Sequence, residues 1–332
     1  MKLHKILSAF VIMLLFTGIA AAEEYSFKIS SAMSSNFPPQ QALEQFVENL
    51  NTKSNGRIHA TKYTDGQLGG ILETLEAIQM GVIQMAMPIT SDLAGYSKKI
   101  QVLDLPFLFK DFKSMRAALD GPLGAEMDKI YESQGFICVG YGPNGTRHIS
   151  NSKRPIYTPE DLNGLKIRVM QNPMHIEIFK AMGANPTPLN YSELYTALQQ
   201  GVVDGQENAP AQVVDANLHE VQKYYSLTGH LQSIACWLVN KNWYESLPAD
   251  LKQIFDDCVA EYEKQYVKMY FDYDNACLDI MKKAGVEVND LTDEQRQAFR
   301  NRCAEIYVEY ENEVGKELVD IARAASEGSS SK

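Results

Sequence analysis

The longest uninterrupted helical stretch of this sequence, residues 249–284, restricts the fold more than any other feature. Neither glycine nor proline occurs between Ala249 and Ala284. A continuous helix over this stretch would be about 54 Å long at a rise of about 1.5 Å per residue. That length exceeds the diameter of a small domain. We therefore expect a helix, straight or kinked, that runs along two domains.

Strands and helices alternate along the rest of the chain, which is typical of parallel βαβ units. The length of 332 residues also suggests two domains. The apolar patterns predict strands at residues 25–31, 57–63, 82–87, 135–141, 165–170 and 233–240. They predict helices at residues 41–50, 72–80, 158–164 and 190–201, and a last helical section at residues 291–325.

The N-terminus has the pattern of a secretory signal peptide. Lys2 and Lys5 precede an apolar run, and three alanines at residues 20–22 form a small-residue cleavage site. We expect cleavage between Ala22 and Glu23. A membrane anchor is the alternative, but the apolar run is short for a bilayer and no stop-transfer pattern follows it. The mature chain is therefore expected to be exported.

The charge of the chain excludes some partners. It has 31 Lys and Arg against 42 Asp and Glu, a net charge of −11. An acidic surface repels phosphate backbones, so nucleic acid is not an expected partner. An anionic ligand would need local positive charge. The cysteines have no metal or redox spacing and are read as buried apolar residues, although an exported protein could form one disulfide: Cys138, Cys236, Cys258, Cys277 and Cys303.

Motifs of catalysis are weak or missing. Residues 140–145 match G-x-G-x-x-G, but the following residues do not open a helix that could hold a pyrophosphate, so we predict a tight turn there. The chain contains no G-x-S-x-G, H-E-x-x-H or Walker motif. A catalytic constellation that forms only in three dimensions stays open as an alternative.

Two arginines are the best candidates for binding an anion. In the predicted strand at residues 165–170, Leu165, Ile167 and Val169 face one side and Arg168 faces the other. Arg147 lies upstream in a polar, turn-rich segment. A guanidinium can bind a carboxylate with two parallel hydrogen bonds. The alternative for both residues is a structural salt bridge with a carboxylate of the protein itself.

Several motifs resemble those of one family. Residues 164–170 read Gly-Leu-Lys-Ile-Arg-Val-Met, and residues 182–208 end in Val-Asp-Gly-Gln-Glu-Asn. Further matches are Gln-Leu-Gly at residues 67–69, Leu-Pro-Phe-Leu-Phe at residues 105–109, and residues 243–248. In this order they resemble the DctP-type solute-binding proteins of tripartite ATP-independent periplasmic (TRAP) transporters.

The resemblance implies a set of site residues. It makes Arg168 the main ligand contact and Arg147 the second, with an amide and an aromatic ring beside them and two less secure positions. The implied ligand-binding residues are Arg168, Arg147, Asn208, Tyr191, Glu76 and Asn36. Leu72 departs from the family, because many members have a polar or charged residue there.

The resemblance also implies the architecture. It predicts an α/β, two-domain fold of the periplasmic-binding-protein type, with a central cleft, crossing strands and a long helix that spans both domains. We expect a signal peptide at residues 1–22 and a disordered tail at residues 326–332. Domain I would comprise residues 23–145 plus 234–273, and domain II residues 146–233 plus 274–325.

The expected function is non-catalytic capture of a small carboxylate, an organic or sugar acid, in the periplasm. The partners would be the ligand and the membrane permease subunits, with no cofactor, no metal, no membrane insertion and a monomeric state. An exported hydrolase or lyase and a ligand-presenting partner of a sensor kinase are the alternatives. Trp237 and Tyr191 leave an aromatic acid open as the ligand.

Overall fold

The computed structural model describes residues 24–328, in which nine strands form one sheet with helices on both faces. The strands are β1 (Tyr25–Ser30), β2 (Ile58–Tyr63), β3 (Met85–Ala86), β4 (Phe136–Asn151), β5 (Lys166–Val169), β6 (Asn185–Pro188), β7 (Gly205–Asn208), β8 (Tyr224–Asn240) and β9 (Glu287–Asp290). The signal peptide predicted at residues 1–22 lies outside the described residues.

The α-helices are α1 (Gln40–Lys53), α2 (Ile71–Gln79), α3 (Phe112–Leu119), α4 (Pro122–Ser133), α5 (Pro173–Ala181), α6 (Leu194–Gln199), α7 (Pro210–Asp215), α8 (Lys241–Ser246), α9 (Ala249–Lys283), α10 (Asp293–Arg302), α11 (Ala304–Val314) and α12 (Lys316–Gly328). Short 3-10 helices cover Thr90–Leu93, Lys98–Asp104, Pro159–Leu162, Tyr191–Glu193 and Leu218–Glu220.

Two long antiparallel strands hold the sheet together. The strand order is β2-β1-β3-β8-β4-β7-β5-β6, and β9 pairs with β8 outside this path. On one side β1 pairs in parallel with β2 and β3, and on the other β5 pairs in parallel with β6 and β7. Because β4 and β8 join these two parallel groups, they are the predicted crossing strands. The predicted α/β class is confirmed.

The core lies on both faces of this sheet. Along β8, Cys236 and Leu238 belong to one apolar cluster, whereas Trp237 and Val239 belong to the other. This division follows from the alternation of side chains along a strand. Helices α3, α4, α5 and α10–α12 cover the first face, and α1, α7 and α9 cover the second. Each face of this part of β8 therefore packs into an apolar cluster.

The long helix is confirmed as a single element. Helix α9 has 35 residues without a break, and it packs against α1, α7 and β4. It ends where Gly285 adopts a φ of 93°, which a glycine accommodates without strain. Its buried residues recur at helical spacing and form one stripe: Phe255, Val259, Tyr262, Tyr266, Tyr270, Cys277 and Met281.

The tight turn predicted at residues 140–145 is wrong, because these residues continue β4. A Cβ on Gly140 would lie 2.5 Å from Cε3 of Trp237, and one on Gly142 would lie 2.7 Å from Cε1 of Tyr266. A Cβ on Gly145 would lie 2.5 Å from the hydroxyl of Tyr270. The glycines therefore let the rings of β8 and α9 lie directly against the backbone of β4.

Three smaller predictions need correction. Only Met85–Ala86 of the predicted strand at residues 82–87 pairs in the sheet. The last helical section divides into α10, α11 and α12, with Gly315 at a φ of 92° before α12. Helix α12 continues to Gly328, although the disordered tail was predicted to begin at residue 326. Residues 329–332 lie outside the described residues.

The cysteines agree with their apolar reading. All five lie within residues 24–328 as unpaired thiols, four of them buried and Cys138 half-buried. Burial raises the pKa of Cys138 to about 12, so this thiol stays protonated at neutral pH. In the same described range, no helix has the length and apolarity needed to cross a bilayer.

We predict that Gly140→Ala destabilises the protein, because its methyl group would overlap the Trp237 ring. Overpacking of this kind costs about 1–3 kcal/mol. Gly95→Ala is the matched control, since Gly95 has no atom within 4 Å of an added Cβ and no positive φ. Thermal unfolding of both variants checks this: equal melting temperatures would show that the Trp237 ring on β8 can move away from β4 without loss of stability.

Candidate functional site

A cleft of about 580 Å³ lies between the two parallel parts of the sheet. The loops after β1, β2 and β3 line one wall of this cleft. The middle of β4, the ends of β5 and β7, the loop after β6 and helix α7 line the opposite wall. In the predicted set of site residues, Arg168, Arg147, Asn208 and Tyr191 all line the cleft.

Arg168 is a buried cation that faces the cleft. It is only 3% exposed, and its Nε and Nη2 atoms donate hydrogen bonds to the backbone oxygen of Leu189, at 3.0 and 2.7 Å. Within residues 24–328, Arg168 forms no salt bridge and its Nη1 atom has no hydrogen-bond partner. Burial lowers the pKa of Arg168 to about 10, so the side chain is still charged at neutral pH. An anion in the cleft would compensate the cost of burying this charge.

Arg147 forms a structural salt bridge with a carboxylate of the protein, which was the alternative to ligand binding in the sequence analysis. Its Nε atom lies 2.5 Å from Oε2 of Glu207, and its Nη2 atom lies 2.7 Å from Oε1. Both side chains are almost completely buried. Burial opposes the charge of Arg147, but the ion pair outweighs it and raises the pKa. Only Nη1 of Arg147 has no hydrogen-bond partner among the described residues.

Two histidines and a second carboxylate extend this ion pair away from the cleft. His230 Nε2 and His175 Nδ1 lie 3.3 and 3.5 Å from the carboxylate of Glu207. His175 Nε2 is 3.7 Å from Asp104, which is an ion-pair distance rather than a hydrogen bond. Asp104 in turn accepts hydrogen bonds from Ser91 and Asn172.

The pKa values of this network show how its charges are held. Burial disfavours the imidazolium of His175, yet the carboxylates of Asp104 and Glu207 outweigh it and raise the pKa of His175 to about 9. Burial would raise the pKa of Glu207, but Arg147 and the two imidazoles lower it well below its usual range. Glu207 is therefore a fixed negative charge with Arg147 as its main counter-ion.

Asn208 and Tyr191 complete the wall beside Arg168. The Nδ2 atom of Asn208 donates a hydrogen bond to Gln206 at 3.1 Å, and a second N–H of this amide remains for a ligand. The hydroxyl of Tyr191 donates to the backbone oxygen of Gln212 at 3.4 Å, so the ring forms part of the wall. Burial raises the pKa of Tyr191, which keeps it neutral.

Two hydrogen bonds join the opposite walls of the cleft. Ser34, in the loop after β1, donates a hydrogen bond from its hydroxyl to Asp215 Oδ1 at 2.5 Å. Its backbone N–H donates to Oδ2 of the same residue at 3.3 Å. Asp215 ends α7 on the opposite wall. This pair therefore holds the two walls together at the mouth of the cleft.

The structure does not bring every predicted residue into the site. Glu76 is exposed on α2, and Asn36 is exposed after β1; neither lines the cleft. Trp237 is fully buried against Tyr262 and cannot reach a ligand. Leu72 does line the cleft, at 40% exposure, so this part of the wall is apolar.

Sequence reasoning missed several groups of the site. Glu207 lies in a motif that was singled out, and a strand places it on the opposite face from Asn208. That alternation could have suggested that Glu207 points inward to a partner. Asp92 and Asp215 line the cleft with no local signal in the sequence. Within the described part of the chain, no group of His, Cys, Asp and Glu side chains is arranged to hold a metal ion.

Comparison with known proteins identifies a family. The profile named DctP, "Bacterial extracellular solute-binding protein, family 7", matches residues 29–313. The 2,3-diketo-L-gulonate-binding periplasmic protein YiaO of Escherichia coli is 35% identical over 258 residues, which cover 78% of each chain.

Two solved structures are also similar. The sugar acid binding protein DctPAm of Advenella mimigardefordensis, in complex with galactonate, has a TM-score of 0.89 and 29% identity. The match covers 92% of this chain and 99% of that one. A TRAP periplasmic solute-binding protein of Sulfurospirillum deleyianum with bound succinate has a TM-score of 0.86 and 30% identity, covering 91% and 99% of the two chains. The predicted periplasmic-binding-protein fold is thereby confirmed.

We predict that Arg147→Ala destabilises the ligand-free protein by about 3–5 kcal/mol, because it leaves Glu207 buried without its counter-ion. The double variant Arg147→Met, Glu207→Gln should recover most of this loss, since it removes both charges. Arg302→Ala is the control, because Arg302 pairs with Glu160 on the surface. Chemical denaturation measures all three. An Arg147→Ala protein as stable as the control would contradict a structural role for the ion pair.

Proposed function

This chain belongs to the bacterial extracellular solute-binding proteins of family 7, the DctP family of TRAP transporters, and on that premise we propose that Arg168 anchors the carboxylate of its ligand. The observation that carries the proposal is the buried charge of Arg168 without a counter-ion in the described part of the chain. One carboxylate supplies the missing negative charge, and the planar guanidinium matches it.

The neighbours of Arg168 support the same role. The amide of Asn208 has an N–H available for the bound carboxylate, and Arg147 can add a hydrogen bond through Nη1. Relatives and structural neighbours are named for, or crystallised with, small carboxylates: 2,3-diketo-L-gulonate, galactonate and succinate. The ligand of this chain is accordingly an organic or sugar acid.

Capture couples to closure of the cleft. The ligand contacts both walls, so it binds the closed form more tightly and shifts the population towards that form. The moving parts are the two predicted domains, residues 23–145 plus 234–273 and residues 146–233 plus 274–325. After cleavage of the signal peptide, the closed monomer would deliver its ligand in the periplasm to the permease of a TRAP transporter. No catalytic step takes place.

We predict that Arg168→Lys weakens binding about tenfold or more, because the ammonium keeps the charge but cannot form two parallel bonds. Arg168→Ala should lose about 2–5 kcal/mol of binding free energy, since the desolvated carboxylate loses its partner. Titration calorimetry with the best carboxylate of a panel gives the affinities. Arg302→Ala, which lies outside the cleft, should bind as tightly as wild type.

The melting temperature of the ligand-free variants distinguishes binding from structure. Arg168→Ala leaves only one backbone oxygen without its donor, so the ligand-free protein should remain folded. A collapse of the melting temperature together with unchanged affinity would assign Arg168 to structure instead.

We further predict that carboxylates, and not neutral sugars or amines, stabilise the protein in a thermal-shift panel. A ligand at a hundredfold excess over its dissociation constant raises stability by about 2.7 kcal/mol. Galactonate, glucuronate, erythronate and succinate are suitable probes, with glucose as the neutral control. Mass spectrometry after incubation should recover the bound acid unchanged. Turnover that survives repurification would contradict a purely binding function.

A further inference from the structure

Asp92 is a carboxylate inside a cleft that is expected to bind an anion. It lies in the 3-10 helix Thr90–Leu93, directly after β3, and lines the same cleft as Arg147 and Arg168. Its Oδ2 atom accepts a hydrogen bond from the backbone N–H of Ile89 at 3.0 Å. Within residues 24–328 its Oδ1 atom has no hydrogen-bond partner, and no cation lies within salt-bridge distance of the side chain.

The other charged groups of the cleft are already engaged. Arg147 is neutralised by Glu207. Asp215 accepts hydrogen bonds from Ser34, and Asp65 accepts them from Ser35 and Thr64. Of the ionisable groups that line the cleft, Arg168 is thus the cation without a counter-ion, and Asp92 is the carboxylate with an open oxygen.

This arrangement fits one class of ligand. A single carboxylate can pair with Arg168, but a second carboxylate would find no free cation and would be repelled by Asp92. A hydroxyl group, in contrast, can donate a charge-assisted hydrogen bond to the open oxygen of Asp92. A ligand without hydroxyls would leave that carboxylate unsatisfied in a desolvated site.

We propose that Asp92 is a specificity-determining residue that accepts a ligand hydroxyl and thereby selects hydroxylated monocarboxylates over dicarboxylates and over acids without hydroxyl groups. This inference rests on the proposed function, because it takes Arg168 as the anchor of the first carboxylate. It specifies which groups the ligand carries besides the first carboxylate, because neither the fold nor Arg168 determines them.

The ionisation of Asp92 supports the same reading. Burial raises the pKa of Asp92 to about 6, opposed by the N–H of Ile89 and by the charges of Arg147 on β4 and Arg168 on β5. Asp104, in the 3-10 helix Lys98–Asp104, acts in the raising direction. Asp92 is therefore mainly ionised at neutral pH and mainly protonated near pH 5, so its charge can be removed without a mutation.

The first test compares ligands that differ in one feature. D-Galactonate has one carboxylate and several hydroxyls, galactarate has a second carboxylate in place of the terminal hydroxymethyl group, and hexanoate lacks the hydroxyls. If the thermal-shift panel favours shorter acids, erythronate and tartrate replace the first two, and butyrate replaces hexanoate. Calorimetry at pH 7.5 should show that the hydroxylated monocarboxylate binds about tenfold or more tightly than the dicarboxylate and the acid without hydroxyls. This is the discrimination expected from one charge-assisted hydrogen bond.

The second test removes the charge of Asp92. Asp92→Asn keeps the size of the side chain, and it should weaken galactonate binding while strengthening galactarate binding, so that the ratio of the two affinities falls about tenfold or more. Asp279→Asn is the matched control, because Asp279 is an exposed carboxylate outside the cleft. It should leave both affinities unchanged.

The third test uses the wild-type chain and is independent of the folding of any variant. Between pH 7.5 and pH 5 the carboxylates of both ligands stay ionised while Asp92 takes up a proton. The affinity for galactarate should rise over this range, and the affinity for galactonate should not. In Asp92→Asn this difference in pH dependence should disappear.

The outcomes separate this inference from the proposed function. If the wild-type protein binds galactarate or succinate as tightly as any hydroxylated monocarboxylate, or if neither pH nor Asp92→Asn changes the ratio, selection by Asp92 is wrong while carboxylate capture stands. A 2-amino acid that binds more tightly than its 2-hydroxy counterpart would also overturn it, since Asp92 would then hold an ammonium group. If no carboxylate binds and Arg168 variants have no effect, both proposals fail.

Discussion

The buried ion pair between Arg147 and Glu207 is the interaction on which the geometry of the cleft depends. Arg147 lies on β4 and Glu207 on β7, so two fully desolvated charges hold these neighbouring strands in one register. Sliding β7 by one residue would turn Glu207 to the other face and leave both charges unpaired. Because Arg168 pairs with Gln206 across β5 and β7, the register that the ion pair fixes also places Arg168.

The two arginines show how the surroundings of a side chain decide its role. Both are buried and both line the cleft, but Arg147 has a carboxylate at hydrogen-bond distance and Arg168 has only a backbone oxygen. The first charge is satisfied within the protein, and a ligand gains little from it. The charge of Arg168 is desolvated and has no anion at salt-bridge distance among the described residues. We propose that a bound ligand compensates this desolvation. Because the Arg168 guanidinium is already held in place before the ligand binds, its contact with the ligand carboxylate contributes more binding free energy.

The sequence predicted features that depend on local periodicity, and it failed where packing between distant segments decides. Helix α9 follows from the absence of glycine and proline at residues 249–284, and the inward face of β5 follows from the alternation of its side chains. The glycines of β4 resembled a turn motif in the sequence. In the structure they make room for rings on other elements, those of Trp237, Tyr266 and Tyr270. Asn36 and Glu76 came from the resemblance, but the loop after β1 and the helix α2 turn these two side chains to solvent. Asp92 could not be predicted from the sequence, because it differs from other carboxylates in lining the same cleft as two arginines on other strands.

The global charge of the protein gives this local arrangement a further consequence. A chain with a net charge of −11 repels an anion at long range, so its field does not steer the ligand into the cleft. That repulsion acts through solvent and is screened over about 8 Å at physiological ionic strength, whereas the contact with buried Arg168 is screened much less. Added salt should therefore assist the approach of an anion more than it weakens the bound state. With the binding roles proposed for Arg168 and Asp92, selection then depends on these two side chains, which the ligand meets after it has entered the cleft, rather than on attraction from outside.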